Sequence, residues 1–181
     1  MIVVSDTAPL IFFGKINKLS IFKELYSVIY IPTEVWDELI YPITSNQKNI
    51  PVDIKLEIEA RESGWLVVKD PEKEENKDIA LQLSRNLGLG EAYAIALSKE
   101  LDAELLLIND KKARKIAMEM GVNTKWITDV LLDAAKEKLI KNYQEFKEIL
   151  SNLVEIGLWI KAHDYNTLLL DVKDILEENK L

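Results

Sequence analysis

The chain has 181 residues, a formal net charge of −8 and no cysteine. That length supports one domain with a real core and argues against a second of full size, while the acidic balance excludes a protein that coats nucleic acid nonspecifically, because displacing condensed counterions needs a basic surface. Without Cys there is no disulfide and no thiolate metal site; no apolar run approaches the roughly 20 residues that span a bilayer, and no basic region precedes an apolar run at the N-terminus, so the expectation is a soluble cytoplasmic protein with no membrane partner.

In chain order, Ile2-Val3-Val4 is a β-branched run that reads as a buried strand, stopping at Asp6 and passing the chain to a helix. Pro9 suits a first helical turn, and Leu10 to Phe13 form an apolar cluster ending at Gly14. Asn17 is a candidate cap for a helix carrying Leu19, Phe22 and Leu25. Val28 to Ile31 is a second strand; Pro32 closes it and opens a helix over Glu34 to Ile40, with Val35 and Leu39 one turn apart on the core side. Tyr41 to Pro51, rich in Pro, Ser, Asn and Gln, reads as a loop. A helix over about Val52 to Ser63 ends at Gly64, and Trp65 to Val68 is a third strand.

Asp70 to Lys77 is a charged connector, after which Asp78 is expected to cap a helix that stops at Gly88. Gly90 leads into a helix starting at Glu91, whose Ala92, Ala94 and Ala96 permit close packing. Glu104 to Ile108 is a fourth strand, continuous enough to be buried on both faces, and Asn109 and Asp110 end it. The next helix closes at Gly121, Asn123 to Trp126 form a short fifth strand, and Thr128 is expected to cap a helix through about Lys138. Two amphipathic helices complete the chain, one with Phe146, Ile149, Leu150, Leu153 and Val154 on a stripe, the other with Tyr165, Leu168, Leu169, Val172 and Leu176; Gly157 separates them and Asp164 is a candidate cap. Helices alternating with short apolar strands predict an α/β fold, a parallel sheet of about five strands covered on both faces, with a C-terminal helical hairpin appended.

Two strands end in Asp: Asp6 after the first and Asp110 after the fourth. If these strands are neighbours, their carboxylates meet at the crevice where the winding of the sheet reverses. Converging carboxylates repel unless neutralised, and the usual neutraliser is a hard divalent cation held through oxygen, Mg²⁺ or Mn²⁺. On a phosphate substrate such an ion activates water and stabilises the leaving oxygen.

Asp6-Thr7 after the first strand, Glu34-Val-Trp-Asp-Glu38-Leu after the second, Gly90-Glu91-Ala-Tyr-Ala-Ile-Ala-Leu, and Asn109-Asp110-Lys-Lys-Ala-Arg114 occur in the order and spacing of PIN-domain ribonucleases. The chain resembles most the branch close to VapC-type toxins, over about Ile2 to Ile140, and its Gly-Leu-Trp-Ile segment at Gly157 resembles that branch's tail. The resemblance implies a three-layer PIN-like nuclease domain over 1–140 and a helical extension over 141–181 packed on it. It places the acidic, metal-binding and catalytic cluster on Asp6, Glu38, Glu91 and Asp110, with Thr7 supporting the metal and Asp129 joining from the helix after the fifth strand. It also implies an RNA substrate, a small antitoxin covering the cleft, and a homodimer. Two positions depart from the pattern: Lys112 stands where a second acid often follows Asp110, and Lys125 and Trp126 stand where this branch carries small turns.

Each residue also has a plainer reading. Asp6 and Asp110 suit N-caps; Glu91 at a helix start suits the helix dipole; Glu38 shares a helix with Glu34 and Asp37, where solvent exposure is the default and Glu34 is the fallback ligand. Lys111, Lys112 and Arg114 suit RNA phosphates or a solvated helix face. The four Trp read as packing near element ends, and the single His163 as a surface or cap residue, which argues against Ser-His-Asp chemistry. No glycine-rich phosphate loop follows any strand. The leading expectation is a metal-dependent ribonuclease cleaving single-stranded or looped RNA. The alternative is a non-catalytic PIN-like module that binds a protein or RNA partner.

Overall fold

A computed structural model describes residues 1–44 and 50–178. The chain divides into two compact units, Met1–Trp126 and Ile127–Leu181.

The first unit is built on a five-stranded sheet in the order β3-β2-β1-β4-β5, with every pair parallel: β1 (Val3–Ser5), β2 (Ile29–Ile31), β3 (Leu66–Val68), β4 (Leu105–Leu107) and β5 (Thr124–Lys125). The expected neighbourhood of the first and fourth strands is present: Val3, Val4 and Ser5 pair with Leu105, Leu106 and Leu107. From β1 the winding runs one way to β2 and β3 and the other way to β4 and β5. Both central strands are buried along their length, which is why their sequences are apolar without alternation.

Helices cover both faces, giving a three-layer α/β fold. They are α1 (Thr7–Lys15), α2 (Ser20–Tyr26), α3 (Thr33–Thr44), α4 (Val52–Glu62), α5 (Glu74–Leu83), α6 (Leu89–Glu100) and α7 (Lys111–Glu119). The small residues of α6 let it lie against β1, β4 and α5; Ala92, Ala94, Ile95, Ala96 and Leu97 are all fully buried. One core joins Val4, Ile95, Leu97, Leu106 and Ile108 to Ala113, Ala117 and Val122. On α1 and α2, Phe13 and Phe22 pack with ring centroids 4.6 Å apart. Gly121 ends α7 at φ +82°, a backbone angle that side chains resist.

The second unit holds α8 (Ile127–Lys136), α9 (Tyr143–Glu155) and α10 (Ala162–Glu178), with α10 packed on both α8 and α9. Most of the expected stripes is buried, Phe146, Ile149, Leu150 and Leu153 on α9 and Leu168, Val172 and Leu176 on α10, whereas Val154 is exposed and Tyr165 and Leu169 are half-buried. Asn142 caps α9 by accepting the Glu145 N–H at 2.9 Å, while Glu145 accepts the Lys141 N–H.

Several expected element ends move. Asn17 is not a cap but a left-handed turn residue at φ 55°, a conformation its short amide side chain tolerates. Asp78, Thr128 and Asp164 lie inside their helices rather than before them. The helix after β2 runs through Tyr41 and Pro42 to Thr44, where a loop was expected, and residues 45–49 of that expected loop lie outside the described residues. Among the described residues no helix is long and apolar enough to cross a membrane.

One buried acid stands apart from the sheet's centre. Glu57 on α4 is 1% exposed, faces Gly14 of α1, and has no partner for Oε2. Burial, with a smaller push from Asp53, moves its pKa from 4.5 to about 8. The folded form therefore holds the proton more tightly than the unfolded one, and its contribution to stability, complete below pH 4.5, is lost as pH rises to about 8. Glu57→Gln should accordingly gain melting temperature relative to the parent across that range and hold the gain above it. A difference independent of pH from 5 to 9 in thermal melts would sink this expectation.

Candidate functional site

β1 ends where Asp6 begins the turn into α1. Its N–H donates to the Leu107 carbonyl at 3.0 Å, so the β1–β4 ladder continues through it and carries the side chain inward, leaving the residue 2% exposed. Asp6 occupies the N-cap position of α1 but makes no side-chain capping hydrogen bond, and its Oδ1 is buried without a partner. Capping therefore does not account for it. Burial, then the nearby Glu91 and Glu38 carboxylates, hold its pKa well above the ordinary 3.8, against the weaker opposing pull of the Asn109 and Ala8 N–H groups.

Glu38 arrives from α3 and is exposed. The Thr7 hydroxyl donates to Glu38 Oε2, which fixes one carboxylate oxygen beside the start of α1. Gly90 makes room for this pair: a Cβ there would stand 3.0 Å from Thr7 Oγ1 and 3.1 Å from Glu38 Oε2. A side chain at the second residue of α6 would thus crowd the Thr7–Glu38 contact, which would have to yield by a few tenths of an ångström. Glu91, next in sequence, accepts the Gly88 N–H at 3.1 Å, the reciprocal half of a capping box. Burial raises its pKa, Asp110 and Glu38 add to the rise, and the Gly88 hydrogen bond and Lys112 oppose it.

Asp110 is exposed and caps α7, accepting the Ala113 N–H at 2.8 Å, so its plainer reading holds. It reaches the acidic group through Glu91. The structure thus brings Asp6, Thr7, Glu38 and Glu91 together and sets Asp110 beside Glu91. Asp129 lies in the first turn of α8, in the second unit.

The basic residues divide. Lys112 donates to the Asn86 carbonyl at 2.7 Å, and Arg114 Nε donates to Thr124 Oγ1 at 3.0 Å with its guanidinium 4.6 Å from the centre of the Trp126 ring. Lys111 is exposed. The packing expected of the tryptophans holds for Trp36 and Trp65, both 8% exposed, but fails for Trp159, which is 78% exposed.

Two further residues contribute, the fallback Glu34 and Asp70, of which only Asp70 lies outside the expected set. Glu34 has a buried Oε2 without a partner and a pKa raised by burial and then by Asp70, Asp37 and Glu38. Asp70, at the end of β3, accepts both the N–H and the hydroxyl of Thr33 at 2.7 Å and so moors the first residue of α3, the helix that carries Glu38. Asp70 ends its strand much as Asp6 does, a signal that a charged connector hides. A groove of about 370 Å³ lined by Glu34, Asp37, Glu38, Tyr41 and Leu89 adjoins the acids.

A family model described as a PIN domain matches residues 2–174, which spans both units. The chain belongs to the PIN-domain family. No curated protein matches it significantly. PIN domains are generally nucleases and typically use divalent metals, so the fold is that of a nuclease-type module.

The donor set of this PIN domain fits a hard cation in chemistry: it is all oxygen, it includes the orphaned Asp6 Oδ1, and burial, followed by neighbouring carboxylates, raises the pKa of Asp6 and of Glu91. The acids are assembled but not converged. Among the described residues no group of three or more His, Asp or Glu side chains is arranged to hold a metal ion, and Glu38 and Glu91 are each turned to a protein hydrogen bond.

A raised folded pKa means that Asp6 costs the fold nothing below its unfolded value near 3.8 and a growing amount as pH rises through its elevated one. Asp6→Asn should therefore melt higher than the parent at pH 7 in chelator, with the gain gone by about pH 4. A lower melting temperature at pH 7 would show that the carboxylate is not strained.

Proposed function

We propose that this PIN domain is a divalent-metal-dependent ribonuclease hydrolysing phosphodiester bonds in single-stranded or looped RNA. The observation that carries the reading is Asp6, a buried carboxylate with one unpartnered oxygen and two further acids raising its pKa, placed where the sheet's winding reverses. Folding tolerates such a group when it serves a ligand that the protein alone does not supply.

Asp6, Glu38, Glu91 and Asp110 would hold Mg²⁺ or Mn²⁺. Bound there, the ion supplies Lewis acidity toward phosphate oxygen and lowers the pKa of water. Thr7 orients Glu38, and Gly90 leaves the space for it. Hydrolysis adds water across a P–O bond, with hydroxide ending on phosphorus and a proton on the departing alkoxide. Lys111, Lys112 and Arg114 would counter the charge of the RNA backbone. The resemblance to VapC-type toxins extends the reading to a cytoplasmic homodimer restrained by a small antitoxin, with the nuclease domain over 1–140 and the helical extension from 141.

A second reading, a non-catalytic module that binds a protein or RNA partner, is favoured by Lys112, which favours the charged form of Glu91 from a position where the family often carries an acid. Purified protein incubated with a mixed RNA pool, with Mn²⁺ or with chelator, separates the two. The nuclease reading expects cleavage that requires the cation and falls more than about 100-fold in Asp6→Asn, Glu91→Gln or Asp110→Asn, beyond the 10–100-fold loss expected of an outer supporting residue such as Thr7→Ala. Cleavage that survives all three carboxylate substitutions overturns it, and a folded protein inert with every cation favours the binding module.

A further inference from the structure

We propose that the groove beside α7 is a nucleobase-stacking subsite that takes one unpaired base of a single-stranded RNA and leads the strand toward the acids. The proposal rests on the ribonuclease reading for the kind of polymer and goes beyond it in saying where, and in what form, the strand is held.

The groove, of about 620 Å³, is lined by Lys111, Arg114, Lys115, Met118, Glu119 and Trp126. Its floor is a flat pair: the Arg114 guanidinium lies over the Trp126 ring at 4.6 Å and is fixed a second time by its hydrogen bond to Thr124. An ordered guanidinium on an indole is a preformed surface for a planar ring, since unstacked bases settle on aromatic and Arg planes alike. Met118, 58% exposed, offers a polarisable apolar wall.

Around this floor the charge is reversed relative to the whole chain. Three cations face a single acid, although the protein carries a net charge of −8. Lys111 and Lys115 are exposed and one helical turn apart. Lys115 meets Glu119 only at 3.8 Å, an exposed pair that leaves it available to a stronger anion. Lys111 directly follows Asp110, so a strand stacked here continues past the end of β4 where the carboxylates gather. A polyanion with planar side groups matches all of these features. A duplex does not, because its bases are already stacked and its A-form major groove admits no side chains.

The test is fluorescence anisotropy in chelator, with the parent protein and three probes: a labelled single-stranded RNA, the same RNA annealed to its complement, and an abasic backbone of equal length. The single strand should bind about tenfold or more tighter than either of the others, as expected for one stacked base. Trp126→Leu and, independently, Arg114→Met should reduce that ratio to near one, so a folding failure in the first leaves the second to decide. Lys111→Gln with Lys115→Gln should lower the slope of log affinity against log salt by about 1.4 and leave the ratio intact. An unchanged ratio in a folded Arg114→Met protein overturns the subsite, as does parent protein that binds the abasic probe equally well. An acidic peptide that competes at the same affinity as the RNA overturns it in favour of a protein partner. If the parent cuts RNA while the ratio ignores both platform substitutions, only the groove fails. If the folded parent binds no RNA in any form, the ribonuclease reading fails with it.

Discussion

Parallel pairing of Val3–Ser5 with Leu105–Leu107 is the constraint on which the remaining features depend. It places β1 between two neighbours, buries it on both faces, and continues for one residue into Asp6, whose backbone N–H completes the ladder to Leu107. A carboxylate is thereby carried into a place where its charge is poorly solvated, and no basic side chain comes with it: burial and acidic neighbours hold its pKa up, and only backbone N–H groups act the other way. The acid is a cost to the fold, set at the one point of an open sheet where neighbouring connections diverge and leave a crevice.

The supporting residues are small or locally bound for reasons that follow from this placement. Helix α6 approaches β1 and β4 closely because its buried positions are mostly small, and its first turn passes the Thr7–Glu38 contact, which a side chain at position 90 would crowd. Glu91 then emerges from the same turn, tied to Gly88. Close packing of one helix and the assembly of three acids are therefore a single geometric fact. Asp110, at the start of a different helix, has its own capping role and joins from outside.

Much of this was legible in the sequence, for reasons particular to each element. The strands were visible because apolar runs such as Leu105-Leu106-Leu107 have no other use in a chain this polar, and the acids ending β1 and β4 followed from where those runs stop. Helix starts were harder. Asp and Thr are favoured both at the N-cap and inside the first turn, where they meet the helix dipole, so Thr128 and Asp164 were placed a residue or more from their roles. Proline at 42 suggested a break that α3 does not make, since the buried face formed by Val35, Trp36 and Leu39 anchors the helix. Gly90, Asp70 and the Arg114–Trp126 pair were hidden because each acts across the chain, on residues 83, 37 and 12 positions away respectively (Thr7, Thr33 and the ring itself), and local pattern carries no trace of such meetings.

The mooring of Thr33 by Asp70 has a wider implication. β3 lies at the rim of the sheet, bonded to one neighbour only, and rims are where native proteins first come apart. The helix bearing Glu38 is thus held at two places, its first residue to that rim by Asp70 and Glu38 itself to Thr7 just past the end of the central strand, so fraying at the border would loosen the start of the helix while the interior ladder still holds. Local order and foldedness are thus separable on heating: the start of α3 loosens before the interior of the sheet gives way.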